Sequence, residues 1–276
     1  MHERGPERTG RLLDTAVNRR KLLALAGAAG LSTALAGCAQ RPEGARVVAV
    51  SPAASPLAQT MTPTTTELAL EPVESTLPPA AVVADMICRD GWRAQSPTGS
   101  GVEHTITKMT IHHTGTALGD NRNAPSRLLQ HQRLHQNDRG WIDIAYHVGV
   151  DRNGNIYELR DWRVKGDTAT EYNPEGHFLV LCEGNFDEEA VTPEQLEGAA
   201  KAFAWAASTF NVSLDELKGH RDFAATACPG ADLYSKVKSG ELKGLVTDLL
   251  ARGPVELREI CGPEAAERVA AIEAGT

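Results

Sequence analysis

Two histidines and a cysteine stand where they can act together. His220 lies in Gly219-His220-Arg221-Asp222, and Cys228 follows in Thr226-Ala227-Cys228-Pro229-Gly230. A histidine and a cysteine on one short loop can be a nucleophile and its base, two metal ligands, or neighbours without a role. A third ligand would favour a metal, because zinc takes imidazole and thiolate together and a catalytic site keeps one position open. His112-His113 offers that ligand. A thiol protease needs an oxyanion hole and a third member, and Pro229 directly after the cysteine denies one backbone donor.

The elements that must position these residues alternate between strand and helix periods. Thr107–His113 reads as a strand, and 124–136 as a helix with Leu128, Leu129 and Leu134 on its apolar side. Residues 142–151 alternate through Ile142, Ile144, Tyr146, Val148 and Val150, which is strand period. Asn153-Gly154 supplies the positive φ angles of a hairpin turn, and 155–159 returns. His177–Glu183 is a further strand. Thr192-Pro193-Glu194-Gln195 opens a long amphipathic helix as N-cap, first-turn proline and capping box. A last helix is expected over 231–249. Mixed strands and helices of this kind predict a central sheet with helices packed on it.

In their order along the chain, these motifs resemble the zinc-dependent N-acetylmuramoyl-L-alanine amidase family that also contains the peptidoglycan-recognition proteins. The resemblance runs from Ile87 to about Leu249. It is carried by Ile87, Arg89 and Trp92-Arg93-Ala94, by Ile111-His112-His113-Thr114, and by Arg139-Gly140-Trp141-Ile142-Asp143-Ile144-Ala145-Tyr146-His147. Gly154-Asn155-Ile156-Tyr157-Glu158, Gly184-Asn185-Phe186 and the two segments around His220 and Cys228 complete it. It implies an α/β fold, a central mixed β-sheet flanked by helices, with a zinc site in a surface cleft.

The resemblance also implies roles. His112, His220 and Cys228 match the three zinc ligands. Adjacent strand residues face opposite sides, so only one of His112 and His113 reaches a metal; alternation does not choose between them, and the family pattern favours His112. Tyr146 matches the catalytic tyrosine, although its period places it with the apolar set. Thr226 stands where some members carry a lysine that aids catalysis and many amidases carry threonine. Relatives that use a glutamate place it on the strand occupied here by Leu179-Val180-Leu181, which favours the tyrosine-type arrangement. The implied reaction is hydrolysis of the amide between N-acetylmuramic acid and L-alanine of peptidoglycan by a zinc-activated water, and the alternative is a non-catalytic peptidoglycan-binding module of the same fold. Gly166-Asp167-Thr168-Ala169-Thr170 departs from the family's histidine-containing segment. His104, His131 and His135 are expected to be solvated.

The N-terminus addresses location. Arg19-Arg20-Lys21 opens an apolar run ending in Leu35-Ala36-Gly37-Cys38, a charged region, a short apolar region and small residues before a cleavage point. The paired arginines resemble a twin-arginine export signal, and Leu-Ala-Gly-Cys resembles the bacterial lipobox, whose cysteine is lipidated. The expected organisation is a signal peptide over 1–37, a lipidated Cys38 and Pro/Ala/Thr-rich tether over 38–84, an amidase domain over 85–252 and a helical tail over 253–276. The expected location is outside the cell membrane, held there by the lipid on Cys38. Hydrophobic residues at 41% and charged residues at 23% suit a packed core. The net charge of −8 gives no electrostatic footprint for nucleic acid. With Cys38 and Cys228 assigned, Cys88, Cys182 and Cys261 remain. Cys182 reads as a small buried hydrophobe, and pairing Cys88 with Cys261 would staple the ends of the domain.

Overall fold

A computed structural model describes residues 81–276. The paired arginines, Cys38 and nearly all of the expected tether lie outside the described residues. Seven strands form one sheet: β1 (Val82–Ile87), β2 (Lys108–His113), β3 (Val148–Val150), β4 (Ile156–Glu158), β5 (His177–Cys182), β6 (Leu217–Gly219) and β7 (Val255–Ile260). Their order is β6-β2-β5-β3-β4-β1-β7. Strands β6, β2, β5 and β3 run parallel, β4 returns antiparallel to β3, and β1 and β7 run parallel to β4. The sheet is therefore mixed.

Helices bury both faces. Helices α2 (Pro193–Phe210) and α4 (Glu241–Ala251), with Leu233 of α3 (Ala231–Lys238), share one core with Met109, Ile111, Phe178 and Val180. Helices α1 (Ala124–Arg133) and α5 (Gly262–Ala274) share the other with Ile87, Trp92, Tyr157 and Leu181. Strand β5 is buried on both sides, which explains its unbroken apolar run and makes Cys182 a core residue.

Several elements differ from their sequence expectation. The alternating segment 142–151 contributes only Val148–Val150 to a regular strand. Before it, the buried Arg160 guanidinium takes over as donor, bonding the carbonyls of Asp143 and Ile144 and, across the gap, that of Lys165. Thr192 caps α2 as expected, accepting from Gln195 N–H at 3.2 Å. The Gln195 side chain does not close a capping box; it donates instead to the carbonyls of Val150 and Glu183 at the ends of β3 and β5. The helix expected over 231–249 is two, α3 and α4, divided at Ser239-Gly240 where Gly240 takes φ +81°. Helix α1 ends at Arg133 and widens into a π turn over Leu134–Asp138.

The tail over 253–276 is not helical throughout, and the domain does not stop at 252. Strand β7 pairs with β1 along all six residues, from Val82 with Val255 to Ile87 with Ile260, and α5 packs on Trp92 and Tyr157. Cys88 and Cys261, each one residue beyond its strand, are joined by a disulfide with Cα atoms 5.0 Å apart. By the chain-entropy relation, closing a loop of 173 residues contributes up to about 5 kcal/mol.

Strand register sets direction across the sheet. Met86, Ile156, Val150, Cys182 and His113 lie at one level. Because β1 runs opposite to β2 and β5, Val82 lies roughly 13 Å beyond that level, at the end of the sheet where β2 and β5 finish.

Candidate metal centre

The last two residues of β2 point to opposite faces. His112 pairs in register with Leu181, so it shares the α1 face, and His113 pairs with Cys182 and faces the α2 side against Phe186. On the α1 face, His112 meets His220, which directly follows β6, with ring centroids 4.6 Å apart. The ligand atoms of His112, His220 and Cys228 all lie within 4.8 Å of one another. The structure thus brings together the three residues singled out as ligands and turns His113 away from them. The His113 backbone still takes part, its N–H donating to Cys228 Sγ at 3.4 Å.

The donor set fits a tetrahedral ion. His112 Nδ1 stands 3.6 Å from Cys228 Sγ. Two ligands at about 2.0–2.1 and 2.3 Å from one zinc ion, spread by a tetrahedral angle, are about 3.6 Å apart. Burial, reinforced by neighbouring imidazoles, holds His112 well below the usual histidine range, and burial brings His220 down to about 4. Both rings are therefore neutral at pH 7, with lone pairs available. Burial pushes the Cys228 thiol up to about 12, so a cation in this position is what would hold it as thiolate.

The loop carrying Cys228 is fixed from several sides. Thr226 Oγ1 accepts the Cys228 N–H at 3.2 Å, and the Arg221 guanidinium donates to the Ala227 carbonyl while lying over the Tyr234 ring at 4.6 Å. Gly230 takes φ +88°, and a Cβ there would come within 2.6 Å of the Phe186 backbone, so only glycine lets the loop pack this closely.

The three residues sit in a cleft of about 310 Å³, whose walls include Tyr146, Thr226, Trp141, Arg139 and Thr168. The Tyr146 ring is 5.0 Å from that of His112. Burial keeps its phenol above the ordinary tyrosine range, so at neutral pH it remains a hydroxyl that can donate. Tyr146 is partly buried against the α1-side core yet reaches the cleft wall, which reconciles its apolar period with a place in the site.

None of the three histidines expected to be solvated, His104, His131 and His135, is freely so. His135 is buried, its Nδ1 accepting the Ala145 N–H and its ring packed on Trp141, and it lines the cleft. His104 joins the Gly176 N–H to the Trp162 carbonyl. His131 turns inward to Glu183, 3.8 Å away. His104 and His135 serve backbone groups and His131 faces a buried carboxyl, and that packing is invisible to residue type alone. Arg160 is the residue that sequence reasoning missed. Its guanidinium also pairs with Asp167, tying the Tyr146 segment to the loop over the cleft.

The N-acetylmuramoyl-L-alanine amidase family matches residues 103–231. Mouse peptidoglycan recognition protein 1 is 33% identical over 162 residues, which is 56% of this chain and 87% of the relative. The chain belongs to the N-acetylmuramoyl-L-alanine amidase and peptidoglycan-recognition family. Among solved members of that family, Drosophila peptidoglycan recognition protein SD is 26% identical with a TM-score of 0.51, covering 58% of this chain and 94% of that one. Peptidoglycan recognition protein LE, solved with tracheal cytotoxin, a monomeric diaminopimelic acid-type peptidoglycan, is 28% identical with a TM-score of 0.52 over 56% of this chain and 92% of that one. The amidase match ends at Ala231, so α4, β7, α5 and the Cys261 half of the disulfide follow it in the chain.

Proposed function

We propose that this amidase-family chain is an active, zinc-dependent N-acetylmuramoyl-L-alanine amidase that cuts the bond joining the muramic acid lactyl group to the stem peptide of peptidoglycan. The observation that carries the reading is the complete ligand set, with Cys228 Sγ 3.6 Å from His112 Nδ1 and His220 beside both. A module that only binds muropeptides has no need of a buried thiol facing two neutral imidazoles.

Zinc held by His112, His220 and Cys228 would supply Lewis acidity and lower the pKa of a bound water. The protein's own groups do the rest. The Tyr146 hydroxyl, kept protonated by burial, donates toward the oxygen that becomes negative as the amide carbonyl is attacked. A well-placed donor of this kind is worth roughly 3–4 kcal/mol in the transition state. Thr226 already accepts the Cys228 N–H, so its own proton is free for the cleft. Leu179 and Leu181 are buried on the His112 face, which leaves no carboxylate at the positions where glutamate-type relatives carry one.

We further propose that the protein is exported and held to the outer side of the membrane by a lipid on Cys38. The Cys88–Cys261 disulfide supports an oxidising compartment.

Zinc content and muropeptide hydrolysis, measured on purified wild type and Cys228→Ser, test the enzymatic reading. Loss of metal and activity together is the expected result. Full activity with full zinc in Cys228→Ser refutes the ligand set, and a zinc-loaded wild type that binds muropeptide without cutting it refutes catalysis.

A further inference from the structure

His220 Nε2 lies 2.8 Å from Thr170 Oγ1. A ring nitrogen engaged with a hydroxyl at that distance is not free to hold a metal, so His220 must ligate through Nδ1. His112 presents the same nitrogen, its Nδ1 being the one beside Cys228. With the Nδ1 lone pair committed to a metal, the neutral ring carries its proton on Nε2, and Thr170 Oγ1 must accept it.

That acceptance fixes the next bond. Thr168 Oγ1 lies 2.8 Å from Thr170 Oγ1 and also accepts the Thr170 N–H at 3.1 Å. The Thr170 hydroxyl, having accepted from His220, donates its own proton to Thr168. The direction of the relay is thus His220 to Thr170 to Thr168. The loop bearing both threonines is tied down by Asp167, whose carboxylate pairs with the buried Arg160 and whose N–H donates to the Ala145 carbonyl. His112 differs, because its Nε2 is buried without a hydrogen-bond partner. Of the two imidazoles, only His220 is held by a hydroxyl from behind.

We propose that Thr170 is the outer partner that sets the tautomer and ring orientation of His220, with Thr168 orienting the Thr170 hydroxyl in turn. Thr170 is a positioning residue that acts through the ligand, and the proposal rests on His112, His220 and Cys228 being that metal's ligands. Outer partners of metal-bound histidines typically carry 10–100-fold of metal affinity.

The test is zinc affinity, read by competition with a chromophoric chelator, for the whole exported protein. Thr170→Val should bind zinc 10–100-fold more weakly, and Thr170→Ser, which keeps the hydroxyl, should return to within about threefold of wild type. Thr168→Val should weaken binding in the same direction by a smaller factor. Wild-type affinity in Thr170→Val overturns the proposal while leaving the ligand set intact. A loss that Thr170→Ser shares in full also overturns it, because keeping the hydroxyl would then not preserve affinity. Should Thr170→Val fail to fold, Thr168→Val decides, and unchanged affinity there overturns the relay. A wild type that takes no zinc at all refutes the ligand reading itself, and is thereby distinguished from failure of the relay.

Discussion

Replacing Glu183 with glutamine should make the domain's stability less dependent on pH, by an amount that follows from burial. Glu183 stands at the end of β5 with its side chain fully buried and neither carboxyl oxygen hydrogen-bonded. The His131 ring is 3.8 Å away, too far for a hydrogen bond, and burial holds it down to about 4, so it is uncharged from pH 5 upward. Burial raises the Glu183 carboxyl from 4.5 to about 8; Arg127 opposes the rise and Asp151 adds to it. Between pH 4.5 and 8 the folded protein therefore holds a proton that the unfolded chain has released. Stability from this group is fully present below pH 4.5 and is lost as pH rises through 8. At about 1.4 kcal/mol per unit, the loss between pH 5 and 8.5 is about 3–4 kcal/mol. Glutamine cannot ionise, and His131 is common to both proteins, so its opposite trend below pH 6.5 cancels in the difference. Urea unfolding of wild type and Glu183→Gln at pH 5, 7 and 8.5 should show the variant gaining on wild type by that amount across the range. A difference that stays constant within about 1 kcal/mol would show that Glu183 is already ionised in the folded state, and the reasoning from burial would fail.

Tyr146→Phe should keep its zinc while kcat falls by about two orders of magnitude, because the hydroxyl acts on the transition state and not on the metal; unchanged turnover would make Tyr146 a packing residue only. Cys38→Ala should move the exported protein from the membrane fraction to the soluble one, and continued partitioning with lipid would argue for an uncleaved anchor helix.

Much of the site was legible because its chemistry is local in sequence. His220 and Cys228 share one loop, and strand period alone required that only one of His112 and His113 reach a metal. What period did not reveal was the facing of β2, since Thr110 is polar yet fully buried where its hydroxyl meets His177 Nδ1. The long-range polar ties were illegible for a different reason. Arg160, Gln195 and His135 each serve backbone groups that are left over where a strand stops or a loop crosses it, and nothing in residue type announces that duty. Strand β7 was missed because Val255-Glu256-Leu257-Arg258-Glu259-Ile260 is half charged, as an edge strand with one solvated face should be. Its partner β1 lies more than 170 residues away in sequence, and the cysteines flanking the pair were the one visible hint.

The opposed direction of β1 decides how the domain would hang from an anchor. The chain reaches the described domain at Val82, and from the strand register that point lies at the same end of the sheet as the finishing ends of β2 and β5 and the cleft beside them. Three strand spacings, roughly 14 Å, separate β1 from β5 across the sheet. If the upstream chain were fixed to a membrane, as proposed above, a pull through it would act on the domain at the end of the sheet that carries the cleft. Under that proposal, wall polymer on the membrane side would be offered to the cleft before polymer farther out, and the attachment would bias which layer is cut.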